Sequence, residues 1–170
     1  MKILGAVAAF ILGAFLGAAL AKIVRDNGLN TIRITSRRRA KANALIELIS
    51  QVEREPKLIP FVRSVEILER GSSHVDYRVG FGVGMTLVEA LYTKTWDKTK
   101  GVVEWKSESG DLRLRHSGRI RFPSDAGQER IELNTEYGFG IPILGPLLTA
   151  TVAPAVKFAL ALWLRRLGDR

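Results

Sequence analysis

A chain of 170 residues holds one packed domain, with room for a short extra segment. Lysine and arginine number 26 against 17 acidic residues, a net charge of +9, and 46% of residues are hydrophobic. That much apolar material excludes a disordered chain, and the positive charge points to nucleic acid or an anionic membrane surface as counterpart. Cysteine is absent, which excludes disulfide scaffolds, thiolate metal sites and cysteine nucleophiles while leaving the compartment open.

The first element is an uncharged run of nineteen residues from Ile3 to Ala21, close to the ~20 residues of a bilayer-spanning helix. Gly5, Ala9, Gly13, Gly17 and Ala21 recur every four residues along one helical face. Such a ladder lets a second helix approach closely, so self-association through Gly5, Gly13 and Gly17 is one reading; the other is that small residues are common in anchors. A secretory signal cleaved near Ala21 is the rival for the whole segment. The flanks favour an anchor: Lys22, Arg25, Arg33, Arg37, Arg38, Arg39 and Lys41 face a single acid, Asp26, a bias that keeps the downstream chain in the cytoplasm. The division expected is an anchor at 1–24, a basic linker at 25–30 and a domain at 31–170. Arg37, Arg38, Arg39 and Lys41 are the expected contacts with anionic lipid, at ~1 kcal/mol per basic residue near the surface.

The domain opens with period-two alternation over Thr31–Ser36, a strand, followed by helical spacing over Ala42–Glu53 with Leu45, Ile49 and Val52 inward. Pro56 and Pro60 break that helix and impose a turn. Strand signals follow at Ser64–Leu68, Val75–Val83, Met85–Trp96, Val102–Ser107, Leu112–Phe122 and Arg130–Phe139. Turn residues separate most of them, as at Ser109-Gly110-Asp111, so the strands form an antiparallel meander. Alternation places Val75, Tyr77, Val79, Phe81 and Val83 on one face. Leu112, Leu114, His116, Gly118, Ile120 and Phe122 also share a face, as do Ile131, Leu133, Thr135, Tyr137 and Phe139. In Met85–Trp96 both parities are apolar, which leaves the direction of Glu89 open.

The last block, Ile141–Leu164, has one charge, Lys157, and is broken by Pro142, Pro146 and Pro154. It reads as a buried or interfacial helix that starts near Leu144–Leu147 and ends at Arg165-Arg166, where cations suit the helix dipole. The whole is an α+β fold: a curved antiparallel sheet of about seven strands wrapped around a long C-terminal helix.

Enzymatic motifs are sparse. Neither G-x-S-x-G nor H-E-x-x-H occurs, no cofactor or metal is expected, and the histidines are His74 and His116 alone. Gly80-Phe81-Gly82-Val83-Gly84 lies within a strand with no helix following, and reads as relief at a bend rather than a phosphate loop. His116, on the apolar parity of its strand, is either a polar anchor for a ligand oxygen or a hydrogen-bonded core histidine. Arg113, Arg115, Arg119 and Arg121 form a solvated stripe that Glu132 and Glu136 on the next strand can balance. Aromatic residues do not interleave with them as single-strand nucleic-acid binding requires, which speaks for a membrane surface before nucleic acid.

The run Ser50 to Leu68 (SQVEREPKLIPFVRSVEIL) resembles the helix-to-strand passage of START-like, helix-grip proteins, and more narrowly the polyketide cyclase/dehydrase and coenzyme Q-binding branch. Trp105, Ser109-Gly110-Asp111-Leu112 and Gly118-Arg119-Ile120-Arg121-Phe122 resemble that group's middle strands. The resemblance spans about Thr31 to Leu167 and implies a cavity between sheet and last helix for a lipid, quinone or polyketide-like molecule. The inward residues that would line it are Tyr77, Phe81, Trp105, Leu112, His116, Ile120, Leu133, Tyr137, Val156 and Trp163, with Pro60 and Phe61 at the entrance. The expected protein is therefore a membrane-tethered binder of a hydrophobic small molecule. The alternatives are a cyclase or dehydratase using the same cavity, for which an inward Glu89 near His116 would argue, and a ribosome or protein interaction module.

Overall fold

The computed structural model describes residues 29–83, 86–125, 128–141 and 144–168. The expected anchor, with its small-residue ladder and signal-peptide rival, lies outside them. The elements are β1 (Asn30–Arg37), α1 (Ala42–Ser50), a 3₁₀ turn (Val52–Arg54), α2 (Glu55–Leu58), β2 (Val62–Arg70), β3 (His74–Val83), β4 (Thr86–Asp97), β5 (Val102–Gly110), a 3₁₀ turn (Asp111–Arg113), β6 (Leu114–Arg121), β7 (Ser124–Asp125), β8 (Gln128–Phe139) and α3 (Leu144–Gly168). The main strands lie in the order β1-β8-β6-β5-β4-β3-β2, each antiparallel to its neighbours, with β7 paired only to β8. The sequence order is thus a meander closed by β1, which returns to pair with the last strand.

Period two decides which face is buried. On the inner face stand Val75, Tyr77 and Val79 from β3, with Val88, Ala90 and Tyr92 from β4. Val103 and Trp105 from β5, Ile120 from β6 and Ile131, Leu133 and Tyr137 from β8 continue it. Ile32 of β1 sits opposite Thr135 at the far edge. Against this face lie Leu160, Trp163, Leu164 and Leu167, all buried and all on one side of α3. Fully burying such a side chain stabilises the fold by about 1.5–3 kcal/mol, and Leu45, Ile46, Ile49 and Val52, equally buried, add to the same core.

α3 joins the sheet without a loose connection. Gly145 lies so near Phe139 that a Cβ there would collide with the Phe139 carbonyl. Thr149 accepts the Phe139 N–H at 3.2 Å and donates to the Gly145 carbonyl at 2.8 Å. Pro146, in the first turn, loses no hydrogen bond, whereas Pro154 lies inside the helix and removes one donor. At the other end Arg166 donates to the Leu58 carbonyl at 3.4 Å, tying α3 to α2.

Three local expectations are corrected. Pro56 does not only break the preceding helix: it occupies the first turn of α2, where its missing N–H is harmless. The sixth strand does not begin at Leu112, because Asp111–Arg113 is a 3₁₀ turn with left-handed Leu112 (φ 56°) and Arg113 (φ 49°). Strand β1 begins at Asn30, inside the stretch assigned to the linker.

Candidate functional site

The inner face carries a connected chain of aromatic rings. Tyr92 is at its centre, with ring centroids 5.7 Å from Tyr77, 6.2 Å from Phe81 and 5.6 Å from His116. His116 continues to Trp105 at 6.0 Å, and Trp105 meets Trp163 of α3 edge-on at 6.4 Å and 80°. Five of the residues expected from the sequence (Tyr77, Phe81, Trp105, His116 and Trp163) are therefore brought together, with Tyr92 as the missing link. Ile120 and Leu133 are buried cross-strand partners beneath them. Tyr137, opposite His116 in register, is buried and accepts a hydrogen bond from Asn30 Nδ2 at 2.8 Å. Val156 of α3 is half-buried and packs against the hydrophobic core.

Leu112 does not join them. Its turn carries it out to solvent, 43% exposed, and the turn is held there by Glu89 N–H donating to Asp111 Oδ2 and Gly140 N–H donating to the Arg113 carbonyl. Alternation extrapolated back from Leu114 placed it inward, but alternation ends where the left-handed turn begins.

Two polar groups of residues interrupt the apolar surface. In the first, Tyr92 Oη and His116 Nδ1 are 2.8 Å apart, and Trp105 Nε1 donates to His116 Nε2 at 3.2 Å. Thr135 Oγ1 lies 3.0 Å from the same Nε2 and 2.7 Å from the Ser117 carbonyl. Burial, reinforced by the Lys94 charge, holds His116 down to a pKa of about 4, so the ring is neutral at pH 7. Burial, and then the charge of Glu55, push the Tyr92 phenol well above its ordinary value, so it keeps its proton. Gly118, in register with both Trp105 and Thr135, allows this arrangement: a Cβ there would collide with the indole and with Thr135 Oγ1.

The second group is a buried ion pair. Lys94, 3% exposed on the inner parity of β4, pairs directly with Glu55 of α2, itself 8% exposed. Lys94 Nζ also donates to the Ile49 carbonyl at 3.3 Å and lies 5.3 Å from the Tyr77 ring centroid, and Tyr77 Oη donates to Glu55 Oε1 at 3.4 Å. Burial raises the Tyr77 phenol, and the adjacent Glu55 carboxylate adds to it. Sequence reasoning missed this pair because both residues look like ordinary surface charges. The available signal was Lys94 at even spacing from Val88, Ala90 and Tyr92.

Glu89 is on the opposite parity of β4, exposed on the outer face. It is therefore not the acid–base partner of His116 that a cyclase would use. The outer face also carries a groove of about 500 Å³, lined mainly by outward residues including Thr93, Glu104, Lys106, Ser117, Arg119, Asn134 and Glu136. It is polar and contains the Arg119–Glu104 ion pair, so it differs in kind from the apolar cavity expected inside the sheet. Of the arginine stripe, Arg119 pairs with Glu104 on β5 and Arg121 stands opposite Glu132.

The expected entrance residues form the turn between α2 and β2. Pro60 is half-buried; Phe61 is exposed in a left-handed conformation (φ 76°) fixed by Gly82 N–H donating to its carbonyl at 2.8 Å. Of the expected lipid contacts, Arg37, Arg39 and Lys41 are exposed, but Arg38 is buried and donates to the Ala40 carbonyl at 2.8 Å. Arg38 is a brace for the turn before α1, not a surface contact.

A curved antiparallel sheet gripping one long C-terminal helix, with an aromatic inner face, is the START-like, helix-grip fold. Solved structures share it: a START superfamily protein from Mycobacterium smegmatis (16% identity, 82% of this chain and 97% of that one, TM-score 0.64); the Zhui aromatase/cyclase from Streptomyces sp. R1128 (18%, 81% and 93%, 0.64); and a STAR-related lipid transfer protein from Xanthomonas axonopodis (15%, 81% and 85%, 0.61). No family model and no curated protein matches the sequence. At these identities the likeness establishes architecture, and function has to be argued from the site.

Proposed function

We propose that the protein is a membrane-tethered binder of a hydrophobic small molecule, a lipid, quinone or polyketide-like compound, held between the sheet and α3. The observation that carries this reading is the inner face: a continuous set of aromatic rings from Phe81 to Trp163, with a few fixed polar groups among them. Binding sites for apolar ligands combine large apolar area with a small number of orienting polar groups. Structures of the same fold include a lipid transfer protein and an aromatase/cyclase, which supports a hydrophobic ligand class.

Tethering rests on the uncharged run Ile3–Ala21 and the basic residues after it, which favour a cell membrane with the domain on the cytoplasmic side. The outward side of α3 supports the same placement. Leu144, Leu147 and Phe158 are exposed there, Phe158 to 68%, as suits a helix lying at an interface. The test is native mass spectrometry of full-length protein extracted from membranes. A stoichiometric copurifying hydrophobic molecule is expected; an empty protein found in the soluble fraction and beginning at Lys22 contradicts the reading.

A further inference from the structure

Among the described residues, the inner face holds one buried hydrogen-bond donor without an acceptor, and the histidine's surroundings create a second. Trp163 Nε1 is buried and has no hydrogen-bond partner among the described residues. An indole N–H can only donate, and leaving it unmet in the interior costs about 1–3 kcal/mol.

The second donor follows from the His116 tautomer. Trp105 Nε1–H points at His116 Nε2 and cannot accept. If Nε2 carried the proton, two N–H groups would face each other. With Nε2 bare, it accepts from Trp105, and Thr135 Oγ1–H is free to donate either to it or to the Ser117 carbonyl. The proton then sits on Nδ1, which donates to Tyr92 Oη. Tyr92, 3% exposed, is thus left with its own O–H undirected, and among the described residues no other acceptor lies within reach of it.

We infer that Tyr92 Oη–H and Trp163 Nε1–H are the orienting donors of the interior, and that the molecule bound there is an apolar compound carrying a hydrogen-bond acceptor such as a carbonyl oxygen. This rests on the binding reading above and narrows it. A pure hydrocarbon bound there would leave both donors unmet. The raised Tyr92 phenol and the neutral His116 ring keep this arrangement of protons intact at neutral pH.

The test compares 9-fluorenone with fluorene, which share a ring system and differ at one carbonyl. Full-length protein is reconstituted in lipid nanodiscs and binding is read by tryptophan fluorescence, with empty nanodiscs subtracted. Wild type is expected to bind fluorenone about tenfold more tightly than fluorene, the size of one net hydrogen bond. Tyr92→Phe or Trp163→Phe, whichever donor the single carbonyl engages, is expected to bring the two affinities together by weakening fluorenone binding about tenfold more than fluorene binding. Equal affinity of wild type for the two probes overturns the inference and leaves the binding reading standing. Absence of binding by either overturns both. Nitrogen-15 NMR of His116 gives an independent check: a proton on Nδ1 is expected, and one on Nε2 overturns the inference.

Discussion

Replacing Lys94 by methionine keeps most of the side-chain volume and removes the charge. Glu55 would then be a carboxylate at 8% exposure with its cation gone, leaving Tyr77 as its partner at 3.4 Å. Breaking a buried pair from one side costs about 3–5 kcal/mol, because the remaining charge is uncompensated. For a domain of this size each kcal/mol moves the midpoint by roughly 3–5 °C, so Lys94→Met should melt about 10–25 °C below wild type. Removing both charges is different, since buried ion pairs exchange for apolar residues at little net cost. The double variant Lys94→Met/Glu55→Met should return to within about 2 kcal/mol of wild type. Thermal unfolding of the four proteins of this cycle, followed by circular dichroism, checks both expectations. A single variant within about 1 kcal/mol of wild type, or a double variant worse than either single, refutes the reasoning that the pair is desolvated and coupled.

Three further outcomes concern His116, Gly118 and Leu112. His116 ionises near pH 4 in the fold against an ordinary 6.5, so the unfolded chain binds more protons between those values. Stability is complete above pH 6.5 and declines by about 3 kcal/mol toward pH 4; urea midpoints across that range should show this decline in wild type and lose it in His116→Gln, and equal slopes contradict it. Gly118→Ala forces a Cβ into the Trp105 indole and Thr135, with an expected loss of about 1–3 kcal/mol in chemical denaturation; an unchanged midpoint means the indole does not cross β6 at that point. Leu112→Gly relieves a left-handed leucine exposed to solvent, so stability should hold or rise by up to about 1 kcal/mol and retention of copurified ligand should be unaffected; lost ligand would return Leu112 to the cavity.

The strands and their inward faces were legible because one side of the sheet is wet and the other dry, and period-two patterns record that difference directly. Val75 to Phe81 and Ile131 to Tyr137 are the clearest cases. The long helix was legible from its composition and its arginine terminus. What stayed hidden depended on tertiary pairing. Lys94 and Glu55 are buried only because they meet each other, 39 residues apart in sequence. Tyr92 lay in a strand with apolar residues on both parities, so alternation could not assign its face. Leu112 was misplaced because two left-handed residues end the strand pattern, and neither is a glycine that would have announced the turn. Arg38 sits among exposed basic residues and is distinguished only by its own burial.

The most direct measurement of the central claim is native mass spectrometry on full-length protein extracted from membranes under gentle conditions, paired with extraction and identification of any bound molecule. A near-stoichiometric apolar compound bearing a carbonyl or similar acceptor is expected, retained by wild type and depleted in Tyr92→Phe and Trp163→Phe. A ligand-free protein whose solved interior is closed by its own side chains would contradict it.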